Sequence, residues 1–226
     1  MLHTYVTSIA LLLFSLSAVA QQRQLIFADA FSKGNLDSNW IIETTPVKGS
    51  SVSVQSGKLV LDTENGVTVW YKQPLTGNFE IEYTRTIVMD SGRNDRLSDL
   101  NQFWMATDPK QKMFTRKGGF KEYDSLQMYY VGMGGNYNTT TRMRRYDGKG
   151  ELKITGEFTD STHLLKPNTP YRIKISFTNG TSKFYVNEIL FFEFTDSNPF
   201  TEGWFAIRST KSRQVIDDVK IWKLAE

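Results

Sequence analysis

The chain has 226 residues, 39% of them hydrophobic and 13% aromatic, with 27 Lys and Arg against 24 Asp and Glu for a net charge of +3. So small a basic excess excludes the usual kind of nucleic-acid binder, which concentrates Lys and Arg against fewer carboxylates. The lack of any cysteine excludes a disulfide scaffold and thiol chemistry, so the core must hold without covalent staples.

The first twenty residues, MLHTYVTSIALLLFSLSAVA, carry no acidic side chain, an apolar run over 9–16 and the small-x-small ending Ala18-Val19-Ala20. They read as a signal peptide cut after Ala20, although the segment before the apolar run has no Lys or Arg. That run is too short to span a bilayer, and no later stretch approaches the ~20 apolar residues a spanning helix needs. The expectation is a secreted or periplasmic monomer without membrane insertion, folded as one domain over 21–226.

Short β-type segments then follow in series. They fall at 25–28, at 40–42, in a hairpin of 51–55 and 58–62 around Ser56-Gly57, and at 67–72. Residues 79–88 alternate strictly, with Phe79, Ile81, Tyr83, Arg85 and Ile87 on one face. Further strands are expected at 100–106, 126–131, 140–146, 171–178, 183–187, 189–194, 204–209 and 215–224, with Asp147-Gly148 and Asn179-Gly180 among the turns. Thr107-Asp108-Pro109 resembles a helix cap and predicts a short helix over 108–114. So many short strands, with no repeat and no sustained helical period, predict an all-β sandwich of two antiparallel sheets, a jelly roll.

The stretch 93–146 has a composition that core strands do not need: arginines, tyrosines, a tryptophan and a run of Asn and Thr. Sugars use such a mixture, because aromatic faces stack on pyranose rings and guanidinium pairs with carboxylate or sulfate. Arg142 and Arg144 lie two apart in a strand and share a face with Tyr146. Two adjacent guanidiniums repel unless an anion or carboxylates lie between them. They mark either a uronate or sulfate site or a surface strand facing Glu80 and Glu82. Arg93 and Arg96 stand in the loop just before. Asn101 and Trp104 point to opposite faces of one strand unless a bulge intervenes. The glycine-rich stretch 132–138 lacks the Lys and Ser/Thr of a phosphate loop, and presents Tyr137 and Asn138.

Tyr129 and Tyr130 are neighbours in a strand and point opposite ways. Tyr129 shares a face with Gln127, Tyr130 with Leu126 and Met128, so Tyr129 is the expected site residue. His163 is the single histidine remaining after the expected cut. It titrates near neutral pH and is a candidate base, or else a loop histidine that caps a turn. One histidine also excludes a multi-His zinc centre. Glu122, Asp124 and Asp99 lie in the rich region, but no strand carries two acids at ExxxE or ExDxxE spacing. Asp217-Asp218 with Asp29 is a candidate structural calcium site, or merely carboxylates that end strands. No other cofactor is expected.

At FWMATDP, FKEYDSLQMYYVGMGGNYNTTTRMRRYDG and HLLKPNTPYRI the chain resembles the YesU-like family of concanavalin-type jelly rolls, from about residue 90 onward. The resemblance implies a concanavalin A-like sandwich in systems that degrade rhamnose- and uronate-containing polysaccharides, pectic rhamnogalacturonan or ulvan. The RxExR and QIH motifs of the alginate-lyase branch are absent, so its residues are not carried over. The expected chemistry is β-elimination at a uronate of an acidic oligo- or polysaccharide. It needs a cation on the carboxylate, a base for the C5 proton and an acid for the group leaving C4. Arg142, Arg144 and Arg93 suit the first role, His163 or Tyr129 the second, and Tyr137 or Tyr146 the third. The leaving group is a sugar in a lyase or, on a terminal uronate, water in a dehydratase. The alternatives are a lectin-like module without turnover, or a glycoside hydrolase using Glu122 or Asp124.

Overall fold

The computed structural model describes residues 22–225. The expected signal peptide and its cut lie outside the described residues. The strands are β1 (Arg23–Asp29), β2 (Trp40–Thr44), β3 (Ser51–Gln55), β4 (Lys58–Tyr71), β5 (Leu75–Thr76), β6 (Phe79–Val88) and β7 (Leu100–Thr107). They continue as β8 (Gln127–Gly134), β9 (Thr140–Asp147), β10 (Leu152–Phe158), β11 (Pro170–Thr178), β12 (Thr181–Val186), β13 (Ile189–Thr195) and β14 (Glu202–Leu224). All pair antiparallel, in the main order β10-β9-β8-β7-β14-β6-β11-β12-β13.

Two long strands join the layers. The first half of β14 pairs with β7 and with the end of β4, and its second half pairs with β6, β1 and the start of β4. A register shift between Thr210 and Ser212, with Lys211 at φ 43°, bends β14 from one layer into the other. One layer is therefore β10-β9-β8-β7-β14, continued by β4 and β2. The other is β13-β12-β11-β6-β14. Between them Trp104, Tyr129, Val131 and Met143 meet Ile81, Ile173, Phe177 and Phe184. Each such side chain taken out of water contributes about 1.5–3 kcal/mol. Hydrogen bonds also cross this core, among them Trp104 Nε1–H to Ser182 Oγ at 3.0 Å and Tyr83 O–H to Gln102 Oε1 at 2.8 Å.

The alternation of β6 holds along its length, and it buries Arg85 fully. That guanidinium donates to Gln214 Oε1 (2.5 Å), Asn101 O (2.8 Å) and Arg208 O (2.7 Å), all uncharged acceptors. Burial lowers its pKa to about 10.

A second apolar cluster lies on the outer face of the β7-β8-β9 layer, where the loop 108–126 folds back over it. Tyr123 and Leu126 of the loop cover Trp70, Phe103, Met128, Tyr130 and Tyr146. Glu43, 3% exposed, pins the loop by accepting Trp70 Nε1–H (2.8 Å), Tyr123 O–H (2.9 Å) and the Arg116 backbone N–H (2.7 Å). Arg116 in turn pairs with buried Asp108 at 2.6 Å.

The short helix expected over 108–114 does not form. Asp108 does take the N–H of Lys110 at 2.7 Å as a cap would, but Gln111 (φ 56°) and Phe114 (φ 62°) are left-handed and end any helix there. A 3-10 turn, Phe120–Tyr123, stands further on instead. The segments 58–62 and 67–72 are one strand, as are 204–209 and 215–224, and β10 is an edge strand that the sequence reading lacks.

Candidate functional site

Beside the loop, the same outer face opens into a hollow of about 300 Å³. Strand pairing decides what lines it. Tyr130 stands opposite Arg144, and Gly132 opposite Arg142 and Asn101. A Cβ on Gly132 would lie 2.0 Å from the Tyr130 hydroxyl and 2.7 Å from Asn101 Oδ1. Glycine there lets Tyr130 O–H reach over the strand and donate to Asn101 at 3.0 Å. Arg208 enters from β14, and Arg96 and Asp99 from the loop before β7.

Four guanidiniums thus surround the hollow, and only two are neutralised. Arg96 pairs with Asp99 and Arg142 with Glu157. Arg144 makes no ion pair among the described residues, and its guanidinium lies 5.4 Å from the Tyr130 ring centre. Arg208 is 1% exposed; it donates to Gly118 O at 3.0 Å and stacks 4.8 Å over Phe120, while its Nε has no partner. A buried unpaired donor on a charged group is costly. Burial lowers the Arg208 pKa. It also raises those of Tyr130 and Tyr146, against the pull of Arg144. Behind Tyr130, the Tyr146 hydroxyl and Asp124 Oδ1 are buried without hydrogen bonds, and burial pushes the Asp124 carboxyl up.

Tyr137 forms the remaining wall. Asn136 (φ 52°), Tyr137 (φ 58°) and Asn138 (φ 61°) are consecutive left-handed residues, which asparagine tolerates and tyrosine does not, at about 1–2 kcal/mol. The Asn138 amide holds this turn by accepting Leu165 N–H (2.8 Å) and donating to Leu165 O (2.9 Å). The strained turn leaves Tyr137 79% exposed, with the Arg96 guanidinium 5.3 Å from its ring centre. An exposed phenol held against its backbone preference is a stacking platform with a polar tip.

The structure brings Arg96, Tyr137, Arg142 and Arg144 together, as the sequence suggests, with Asn101 and Tyr146 beneath them and Asn138 as a strut. It does not bring in the others. Tyr129 faces the core, not the hollow, and donates to Asp196 Oδ2 at 2.7 Å. The loop 108–126 buries the Met128 face of β8 as well, so polarity does not mark the open side of this strand. Trp104 is likewise in the core, since the bulge at Met105 (φ 52°) comes after it. Arg93 lies elsewhere, on Glu64 (2.6 Å) and Lys48 O (3.1 Å). His163 stacks on Phe158 with ring centres 3.7 Å apart and faces the Asp160 carboxylate at 2.8 Å. Its carbonyl accepts from Thr141, whose side chain points away from the Arg142 face, so His163 is on the far side of β9. It is the turn histidine rather than the base in the hollow. Glu80 and Glu82 pair with Arg23, not with Arg142 or Arg144.

Glu122 is exposed and takes Lys117 N–H at 2.6 Å. Asp29 serves Phe31 and Trp40, Asp217 serves Lys58 and Asp218 serves Lys220, and no cluster of three metal-ligating side chains occurs among the described residues. These three carboxylates do not converge as a calcium site would require. Arg208, Tyr130 and Glu43 were missed. A charge inside an apolar strand, as in WFAIR and WIIE, was the available signal.

Solved structures share the fold. A galectin-like protein of unknown function from Bacillus subtilis is 15% identical with a TM-score of 0.73, over 92% of this chain and all (100%) of that one. The endo-beta-1,3-glucanase of Pyrococcus furiosus is 11% identical with a TM-score of 0.63, over 91% and 96%. The carbohydrate-binding module CBM66 of Bacillus subtilis is 12% identical with a TM-score of 0.58, over 82% and 96%. At such identities the likeness is one of fold, and the fold is the jelly-roll sandwich. No curated protein matches the chain. Residues 61–219 match the family described as a domain of unknown function, DUF6250, and the chain belongs to that family.

Proposed function

We propose that this protein is exported and binds an acidic saccharide in the hollow beside Tyr130. The observation that carries this is the pair of unneutralised guanidiniums, Arg144 and Arg208, on either side of a tyrosine. Guanidinium matches carboxylate or sulfate geometry bidentately, while Tyr137 offers a ring for a sugar face. The carbohydrate-binding and glucanase structures of the same fold support a saccharide as the ligand class. The motif resemblance to YesU-like proteins supports a uronate from a rhamnose-containing polysaccharide. Hydrolysis fits poorly, because Asp99 is the one carboxylate lining the hollow and it is held by Arg96.

β-Elimination is the second reading, favoured by the place of Tyr130 between the two free cations. Burial keeps its hydroxyl protonated, which suits a donor to the oxygen leaving C4. Tyr137, which must first give up its own phenol proton to solvent, is then the group placed to take the C5 proton, and Arg144 with Arg208 would hold the carboxylate as negative charge develops. The test is titration and ultraviolet absorbance with uronate oligosaccharides. Binding with a new 4,5-unsaturated product establishes elimination, and binding without change establishes a recognition module. Equal affinity for neutral sugars would sink the acidic reading.

A further inference from the structure

We infer that the hollow recognises the terminal residue of a saccharide chain rather than an internal one, an inference that rests on the acidic-saccharide reading. A groove on this face would cross β9, β8, β7 and β14 and run out over β4 and β2. It cannot, because the loop closes it at β4. A Cβ on Gly66 would stand 1.9 Å from Gly118 O, and one on Gly118 only 2.2 Å from Gly66 O and 3.0 Å from Glu43 O. Two glycines in backbone contact leave no room for a sugar ring to pass between loop and sheet. Gly118 has φ +86°, so glycine is required there twice over, for the left-handed turn and for the contact.

The barrier is built in from several directions. Thr45 Oγ1 donates to Lys117 O at 3.1 Å, Arg208 donates to Gly118 O at 3.0 Å, and Glu43 holds the Arg116 N–H behind them. Along the strands, Phe120 and Tyr123 pack against Tyr130 and Phe103 with ring centres 6.1 and 5.4 Å apart, which closes that direction as well. The left-handed turn carrying Tyr137 stands on a third side. The remaining rim is that of Arg142 and its partner Glu157, 25% and 35% exposed. A volume of about 300 Å³ is at the small end for ligand sites and seats a sugar residue or two. With Arg208 lining the hollow beside the loop that closes it, the anionic group belongs on the innermost residue, and the rest of the chain leaves past Arg142.

The experiment is calorimetric titration of the full-length mature protein with oligogalacturonates and ulvan oligosaccharides, each from monomer to hexamer. End recognition predicts an affinity per chain that is flat from dimer to hexamer to within about threefold, a spread smaller than the tenfold that 1.4 kcal/mol represents. It also predicts that polymer binds in proportion to its chain ends. Affinity that climbs tenfold or more with length would overturn the closed end and leave acidic-saccharide binding intact. No binding at any length would overturn that reading and this inference with it.

Discussion

Arg144 and Tyr130 stand directly opposite each other across the β8–β9 pair, with the guanidinium 5.4 Å from the centre of the phenol ring. The ring faces a cation that no carboxylate among the described residues neutralises. Arg144→Ala should therefore weaken uronate binding roughly 10- to 150-fold, the worth of a hydrogen bond to a charged group. Its melting temperature should stay near that of the wild type, because no ion pair is lost. Calorimetry alongside thermal unfolding separates the two effects, and a destabilised variant of undiminished affinity would refute the role.

Tyr137 gives the opposite pairing of effects. Tyr137→Gly removes a left-handed tyrosine that costs about 1–2 kcal/mol, offset by glycine's extra freedom in the unfolded chain of about 0.5–1 kcal/mol. Stability should hold or rise by up to about 1.5 kcal/mol while saccharide affinity falls. A stable variant with wild-type affinity would show that the strained turn serves no ligand.

Glu43→Ala should leave Trp70 Nε1–H and Tyr123 O–H buried without an acceptor, at about 1–3 kcal/mol for each. The loop 108–126 should loosen first. Limited trypsin digestion should cut at Lys112, Arg116 or Lys117 well before the strands, whereas the wild type stays intact.

Acid should release the same loop. Burial pushes the Asp108 carboxyl up, but the Arg116 guanidinium and the Lys110 N–H outweigh it and hold its pKa below the usual value. A depressed carboxyl stabilises above its unfolded pKa of about 3.9, and that contribution fades as pH falls through the lower folded value. Protection against hydrogen exchange in the loop, taken relative to the intrinsic rate at each pH, should be steady between pH 7 and pH 5 and fall below about pH 4. Asp108→Asn should exchange faster at neutral pH and respond less to acid.

The sheets were legible because one face of each strand carries a contrast. β6 runs Phe79 to Val88 as its alternation says, since its outer face meets water. β8 had no such contrast to read, as the core takes Tyr129 and Val131 while the loop takes Met128 and Tyr130. The arginine pair of β9 was visible from its spacing, but Arg208 comes from a strand some sixty residues later in the sequence, and only strand pairing brings it near. His163 drew notice as the lone titratable ring of its kind, a property that says nothing about which side of β9 it occupies.

β14 has a consequence of a different kind. It is the last strand of the described chain to leave the ribosome, and it pairs with β1, β4, β5, β6 and β7. Neither sheet can close before it arrives. The nascent polypeptide should thus stay loose until late in synthesis, and its folding, dominated by pairings distant in sequence, should be slow once it begins. Such a delay keeps a chain threadable. For the export proposed above, a chain that closes only with its last described strand would remain uncollapsed long enough to enter a translocation channel.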